Sequence, residues 1–257
     1  MFIDIHTHLD SPEFTSDLEE VIARAEKEGV GFILTAGVDG ESSEKAVSLA
    51  EAHPFVYAAV GIHPHDAKKA SDEDFALIER LSSRKKVIAI GEIGLDYYRN
   101  YSPPEDQKRV FRRLLLLAKE VDLPVIVHSR ESIDDVLKVI EEVGGKGILH
   151  CFPGPLSAAY TALTLGFFIS FAGNITYPKA VRLREMVAKL PLSSLFLETD
   201  APYLTPSPRR GKRNEPAYIR FTYEMAAEIK GVPLSKLTSA IEDNLRALFG
   251  DKLDFRG

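Results

Sequence analysis

Cysteine is almost absent from this sequence: Cys151 stands alone among 257 residues. An intrachain disulfide is therefore excluded, and a reducing compartment is expected. No apolar run approaches the ~18 residues that mark a membrane-spanning helix. Nor does an apolar leader precede the first strand-like run, which begins at about residue 2, so a cleavable signal segment is not expected. Positive charge is in deficit, with a formal net charge of −6. A nucleic-acid partner thus cannot be read from overall charge, and any grip on phosphate must be local. No Gly-x-Gly-x-x-Gly follows the first apolar run, which argues against a dinucleotide-binding doubly wound sheet. The expectation is a soluble cytoplasmic protein with no membrane partner.

What is present is a long alternation. Apolar, strand-like runs begin near Phe2, Gly31, Val56, Val87, Pro124, Gly147, Phe167 and Leu195. Segments with helical periodicity lie between them. Ser16-x-x-Glu19 reads as a capping box opening the first helix, which Gly29 can end. Glu41 to Ala52 follows, stopped by His53-Pro54, then Asp72 to Leu81 behind a possible Ser71 N-cap. Pro103-Pro104 suits the first turn of a helix running to about Val121. Ser132 to Val143 places Ile133, Val136, Leu137 and Ile140 on one face. Further helices are predicted over Leu156 to Leu165, Pro178 to Leu190, Pro216 to Ile229 and Leu234 to Phe249. Runs such as Val87-Ile88-Ala89-Ile90 and Pro124-Val125-Ile126-Val127 are apolar on both faces, as buried parallel strands are. With 45% hydrophobic residues the chain can fill a large core. Eight strand-helix units predict an α/β fold, a (β/α)8 TIM barrel forming a single domain over residues 1–257.

In such barrels the active site lies at the C-terminal ends of the strands, and the chemistry-bearing residues segregate there. His6 and His8, in Phe2-Ile3-Asp4-Ile5-His6-Thr7-His8, share a strand face by alternation, with Asp4 one step behind. His63 and His65 close the third strand, Glu92 the fourth, His128 the fifth and His150 the sixth; Asp200 follows the eighth. Six of the seven histidines thus fall on one rim. The seventh, His53, ends a helix. Four imidazoles and two carboxylates exceed what one metal with an open position needs. They suit two divalent ions about 3.5–4 Å apart that activate a water, with Asp200 as general base. Imidazole favours Zn²⁺ or Mn²⁺ over Mg²⁺.

These residues carry a resemblance. Phe2-Ile-Asp-Ile-His-Thr-His-Leu-Asp10, Gly61-Ile-His-Pro-His65, Gly91-Glu-Ile-Gly-Leu-Asp-Tyr97, Val127-His-Ser-Arg130, Leu149-His-Cys-Phe152 and Glu198-Thr-Asp-Ala-Pro-Tyr203 are similar, in order, to the TatD-type metal-dependent deoxyribonucleases of the amidohydrolase-like superfamily. The resemblance implies a (β/α)8 barrel with a one- or two-metal site, commonly supplied with Mg²⁺. It further implies hydrolysis of DNA phosphodiesters, often as a 3′→5′ exonuclease acting on single-stranded or frayed ends. Carried over, His6, His8 and Asp200 hold one metal, His128 and His150 the other, and Glu92 bridges. Thr7 stands where many members have Cys, but it faces away from the site by alternation.

On the substrate side, His63 is read as a phosphate-contacting or protonating residue in preference to a structural histidine, and His65 as either a second substrate contact or a structural histidine. Asp4 and Glu198 have inward parity, one layer below, and either orient a ligand histidine or form a buried ion pair. Cys151, one residue past His150, is read as pointing to the opposite face. Arg209, Arg210, Lys212 and Arg213 put four cations in five residues after strand eight, where this fold commonly binds phosphate. Arg130, Tyr97, Tyr98, Asn174 and Tyr203 are further candidates for the cleft, the tyrosines as stacking surfaces for unpaired bases. The alternatives are a hydrolase of a small amide, lactone or phosphoester, and a non-catalytic metal-binding scaffold.

Overall fold

The computed structural model describes residues 1–253; residues 254–257, which the one-domain reading includes, lie outside the described residues. Eight parallel strands follow one another around the sheet in sequence order. They are β1 (Phe2–Thr7), β2 (Val30–Ala36), β3 (Val56–Val60), β4 (Val87–Asp96), β5 (Val125–Arg130), β6 (Gly147–Leu149), β7 (Phe167–Phe171) and β8 (Leu195–Leu197). The helices between and after them are α1 (Leu18–Lys27), α2 (Gly40–Ala52), α3 (Asp72–Ser82), α4 (Pro104–Glu120), α5 (Ile133–Val143), α6 (Leu156–Thr164), α7 (Val181–Lys189), α8 (Ile219–Lys230) and α9 (Leu234–Phe249). This is the expected (β/α)8 barrel. The strands read as continuous apolar runs because one face fills the barrel and the other packs under the helices; every residue of β3 and β4 is buried. None of the described helices is long and apolar enough to cross a membrane.

The seam between β8 and β1 is sewn by the segment just after β8. Asp200 donates its N–H to the His6 carbonyl at 3.0 Å, and His8 donates to the Ala201 carbonyl at 2.8 Å. Below them the fully buried Asp4 accepts from Thr199 N at 2.8 Å and Thr199 Oγ1 at 2.5 Å. Burial pushes the Asp4 carboxyl up to about 8 against those hydrogen bonds. Asp4 therefore fastens the seam through Thr199, and with no histidine side chain or cation bonded to it among the described residues it takes neither of its two predicted roles. Tyr223 of α8 ties itself to the same strand, its hydroxyl accepting from Ile3 N and donating to Ile3 O, both at 3.1 Å.

Two strands carry an extra residue beside the site. In β1, Asp4 pairs with Ile33 and Thr7 with Thr35, so three steps oppose two. In β4, Ile90 pairs with Val125 and Ile93 with Val127, again three against two. Such bulges re-aim side chains, and these fall at Ile5-His6 and Gly91-Glu92. Just beyond the second, Gly94 has φ +139°, and a Cβ there would sit 2.0 Å from the His128 carbonyl oxygen. Only glycine lets β4 pass that close to β5.

Helix starts differ from expectation in four places. The Ser16-x-x-Glu19 box does not form: α1 begins at Leu18 after Asp17, which makes no capping bond because its carboxylate is taken by Arg213 and Arg24. The α2 start is a capping box of Asp39 with Ser42, whereas Ser71 caps α3 as expected. The Pro178 start is replaced by Val181, and Pro216 opens a 3-10 turn ahead of α8.

Candidate metal centre

The bulge in β1 leaves His6 and His8 converging: their Nε2 atoms are 3.2 Å apart. Glu92 Oε2 lies 3.5 Å from each. Asp200 Oδ1 lies 3.8 Å from His6 Nε2 and 3.6 Å from His8 Nε2. Donors about 2.1 Å from a tetrahedral ion stand about 3.4 Å from each other. Five separations of 3.2–3.8 Å therefore fit one ion held by two imidazoles and two carboxylates. Asp200 reaches this place from a left-handed backbone turn, φ 54°, three residues beyond β8.

The other oxygen of Glu92 faces a second group. Glu92 Oε1 is 2.8 Å from His128 Nδ1, 2.9 Å from His150 Nε2 and 3.4 Å from His63 Nε2. Which of these imidazoles can bind a cation follows from what holds the opposite ring nitrogen. His150 Nδ1 is bonded to Glu198 Oε1 at 3.3 Å, and His128 Nε2 to Asp96 Oδ2 at 3.3 Å. His8 Nδ1, likewise, points at the Ala36 carbonyl at 3.0 Å. Each of these outer nitrogens faces an acceptor, so each keeps its proton and the inner nitrogen is the one that gives up its own to a cation. His63 is reversed. Its Nδ1 accepts the His65 backbone N–H at 3.2 Å, so its Nε2 carries hydrogen and faces the site as a donor. Three atoms of His63, Glu92 and His128 are close enough to form a metal triad, but the His63 tautomer excludes it as a ligand there.

Charge is redistributed accordingly. Burial opposes ionisation of Glu92, yet His150, His63 and the hydrogen bonds from His128 and His150 hold its carboxyl well below the usual range. Burial likewise opposes charge on His8, and the hydrogen bond to Asp200 with the Glu92 charge reverses this, to about 9. Burial pushes His63 down to about 4 despite the charge of Glu92 and its hydrogen bond to it, so His63 is neutral at pH 7.

Asp96 is the site residue that residue-by-residue reading missed. It is buried, its Oδ2 meets His65 Nε2 at 2.9 Å as well as His128, and its Oδ1 accepts from Arg99 N at 2.8 Å. Spacing contained the signal, since Asp96 lies four residues past Glu92 on the same strand. Glu198 takes the orienting role proposed for it, with its other oxygen on the Ser170 hydroxyl. Cys151 does not turn away as strand alternation suggested. It follows the end of β6 with φ 41°, and its thiol lies against Asn174 Nδ2 at 3.8 Å. Burial and then the carboxylates of Glu198, Asp200 and Glu92 push the thiol well up.

Around these groups opens a cleft of about 640 Å³ whose walls include His63, His65, Arg130 and Tyr203. Tyr101 packs edge-on to His65, Tyr203 edge-on to His8, and Arg130 lies 3.9 Å over the Tyr98 ring. Tyr97 instead turns outward to Asp135 at 2.7 Å. The four cations of the loop after β8 are not in the cleft wall. Arg209, Lys212 and Arg213 line a separate groove, and Arg210 lies over Tyr177. Two sets of contacts turn the loop: Asn214, fully buried, bonds Thr199 O, Tyr203 O and Pro202 O, while Arg213 is drawn across the fold to Asp17 and the Glu13 carbonyl.

Known proteins resemble this chain over nearly its whole length. The chain is 42% identical over 252 residues to an uncharacterized metal-dependent hydrolase, YabD, of Bacillus subtilis, covering 97% of this chain and 99% of that one. It is 36% identical over 255 residues to the 3'-5' ssDNA/RNA exonuclease TatD of Erwinia tasmaniensis, covering 96% and 98%. The crystal structure of YJJV, a TatD homolog from Escherichia coli, superposes with a TM-score of 0.92 at 36% identity, covering 96% of this chain and 97% of that one. A family model described as TatD related DNase matches residues 3–250. The chain therefore belongs to the TatD-related DNase family of metal-dependent hydrolases.

Proposed function

We propose that this protein hydrolyses phosphodiester bonds at the 3′ ends of single-stranded or frayed DNA, using two divalent metal ions. In this reading His6, His8 and Asp200 hold one ion, His128 and His150 hold the other, and Glu92 bridges them. The observation that carries it is the convergence of four imidazole nitrogens on the two oxygens of one buried carboxylate. When bound, the ions acidify a water and neutralise charge on the phosphate; Zn²⁺, Mn²⁺ and Mg²⁺ all remain compatible with the donor set.

The chain's own residues supply the rest. Asp200 is the more open of the two carboxylates, with 15% of its side chain exposed against 3% for Glu92. It is therefore the one able to take a proton from water entering by the cleft. His63, neutral and with Nε2–H facing inward, donates a hydrogen bond to a phosphate oxygen. Arg130 supplies a cation at the rim, and Tyr101 and Tyr203, each 54% exposed, offer faces on which unpaired bases stack. The name of the Erwinia relative, an exonuclease of single-stranded DNA and RNA, supports the substrate class.

The test is a single-stranded oligonucleotide labelled separately at each end. Early loss of the 3′ label, abolished by EDTA and restored by added metal, is expected. Intact DNA with every metal would refute the reading. Placement of the loop cations away from the cleft favours a second reading, hydrolysis of a small amide, lactone or phosphoester by the same centre. Turnover of such a substrate with no oligonucleotide cleavage would select it.

A further inference from the structure

The groove lined by Arg209, Lys212 and Arg213 is completed by α1 and α8, and has a volume of about 770 Å³. Six cations and two carboxylates line it, in a chain whose net charge is −6. Internal pairing neutralises half of those cations. Arg24 is held by Glu215 at 2.7 Å, Arg213 by Asp17 at 2.7 Å, and Arg220 by Glu224 at 2.7 Å. Lys27, Arg209 and Lys212 are exposed and have no carboxylate within ion-pair distance among the described residues. Arg209 is spread over Tyr218 and Phe221, at 5.3 and 5.7 Å, so an aromatic floor lies beneath the free charge.

This groove and the catalytic cleft have no lining residue in common but are joined through two backbone contacts. Pro12 and Tyr203 line the cleft. Arg213, a groove residue, donates to the carbonyl of Glu13, the neighbour of Pro12. Asn214, next in sequence, donates to the Tyr203 carbonyl. A chain leaving the cleft past Tyr203 therefore meets Arg213 and then the three unpaired cations. Free positive charge over aromatic rings is the chemistry that holds a single-stranded polynucleotide, phosphates on the cations and bases on the rings.

We infer that this flank groove binds the stretch of single-stranded nucleic acid on the 5′ side of the end being cleaved. The inference deepens the proposed function and rests on it for the strand's direction. It makes affinity depend on length: a dinucleotide fills only the cleft, whereas a dodecamer reaches α1.

Binding is measured by fluorescence anisotropy with 5′-labelled, phosphorothioate-linked dT12 and dT3, over 50 to 200 mM salt. Hydrolysis of a small chromogenic phosphodiester is followed in parallel. Three phosphate contacts on a single strand give a log–log salt slope of about −2, or an affinity loss of about 20-fold over that range. That slope is expected for dT12 in excess of dT3, and should vanish in Lys27→Ala/Arg209→Ala/Lys212→Ala. Lys27→Glu, on the exposed face of α1, should weaken dT12 binding while leaving turnover of the small diester unchanged. If the diester is hydrolysed but dT12 and dT3 bind alike, or the triple variant keeps the wild-type slope, the groove inference is overturned and the proposed function stands. If no diester is hydrolysed yet the charge-dependent dT12 slope persists, the groove stands and the catalytic reading falls.

Discussion

Asp96→Asn isolates the tautomer argument because it changes shape least. In the native site Asp96 Oδ1 accepts the Arg99 N–H at 2.8 Å, which fixes which end of an asparagine would remain carbonyl. The amide NH₂ then takes the place of Oδ2, facing His65 Nε2 at 2.9 Å and His128 Nε2 at 3.3 Å. A donor there forces His128 Nε2 to accept, so the ring proton moves to Nδ1, the atom 2.8 Å from Glu92. The nitrogen that should carry a lone pair toward the cation is then protonated. Loss of such an orienting partner typically costs 10–100-fold in metal affinity, about 1.4–2.7 kcal/mol. The second metal should weaken by that factor, read by calorimetric titration of metal-free protein. The first, at His6, His8 and Asp200, should weaken much less. Near-ultraviolet circular dichroism should match the native protein, showing that the barrel is intact. Equal affinity of wild type and variant for both ions would refute the reasoning, as would equal weakening of both.

Three further outcomes are expected. His63→Ala should lower kcat by about 10²–10³-fold, the range for removing a hydrogen-bond donor to a developing charge, while metal content by mass spectrometry stays at the wild-type value; lost metal would make His63 a ligand after all. Gly94→Ala should destabilise the fold by about 3 kcal/mol or more, since its Cβ would meet the His128 backbone at 2.0 Å and φ is +139°; a urea midpoint near wild type would contradict this. On the acid side, the hydrogen bond from Arg213 and then that from Arg24, working against slight desolvation, hold the half-buried Asp17 carboxyl down at about 2. Its contribution to stability is thus present above the unfolded value of 3.8 and is lost as pH falls toward 2. Asp17→Asn should flatten that part of the stability–pH curve, and an unchanged curve would remove the pair from the account.

Barrel and rim were legible because they rest on patterns that survive without coordinates. Continuous apolar runs mark strands buried on both faces, and strand ends carry the histidines. What escaped depended on departures from regularity. Strand alternation placed His6 and His8 together, but the bulges at Ile5-His6 and Gly91-Glu92 that aim the ligands leave no mark in a periodic reading. Alternation points Cys151 outward, but a left-handed turn redirects it and sets its thiol against Asn174. The cations of residues 209–213 were clustered in sequence and correctly read as local charge. Their direction was decided by partners nearly two hundred residues away, Asp17 and Glu13, and only the folded chain shows those. Spacing puts Asp96 on the face of Glu92, but its role, holding the protons on His65 and His128, is a relation between strands that only the folded chain shows.

An anomalous-scattering map from crystals grown with Mn²⁺ tests the central claim most directly. The account predicts two peaks flanking Glu92, one among His6, His8 and Asp200 and the other between His128 and His150, with His63 bound to neither. A map with no peak at Glu92, or with His63 in the coordination of one, would contradict it.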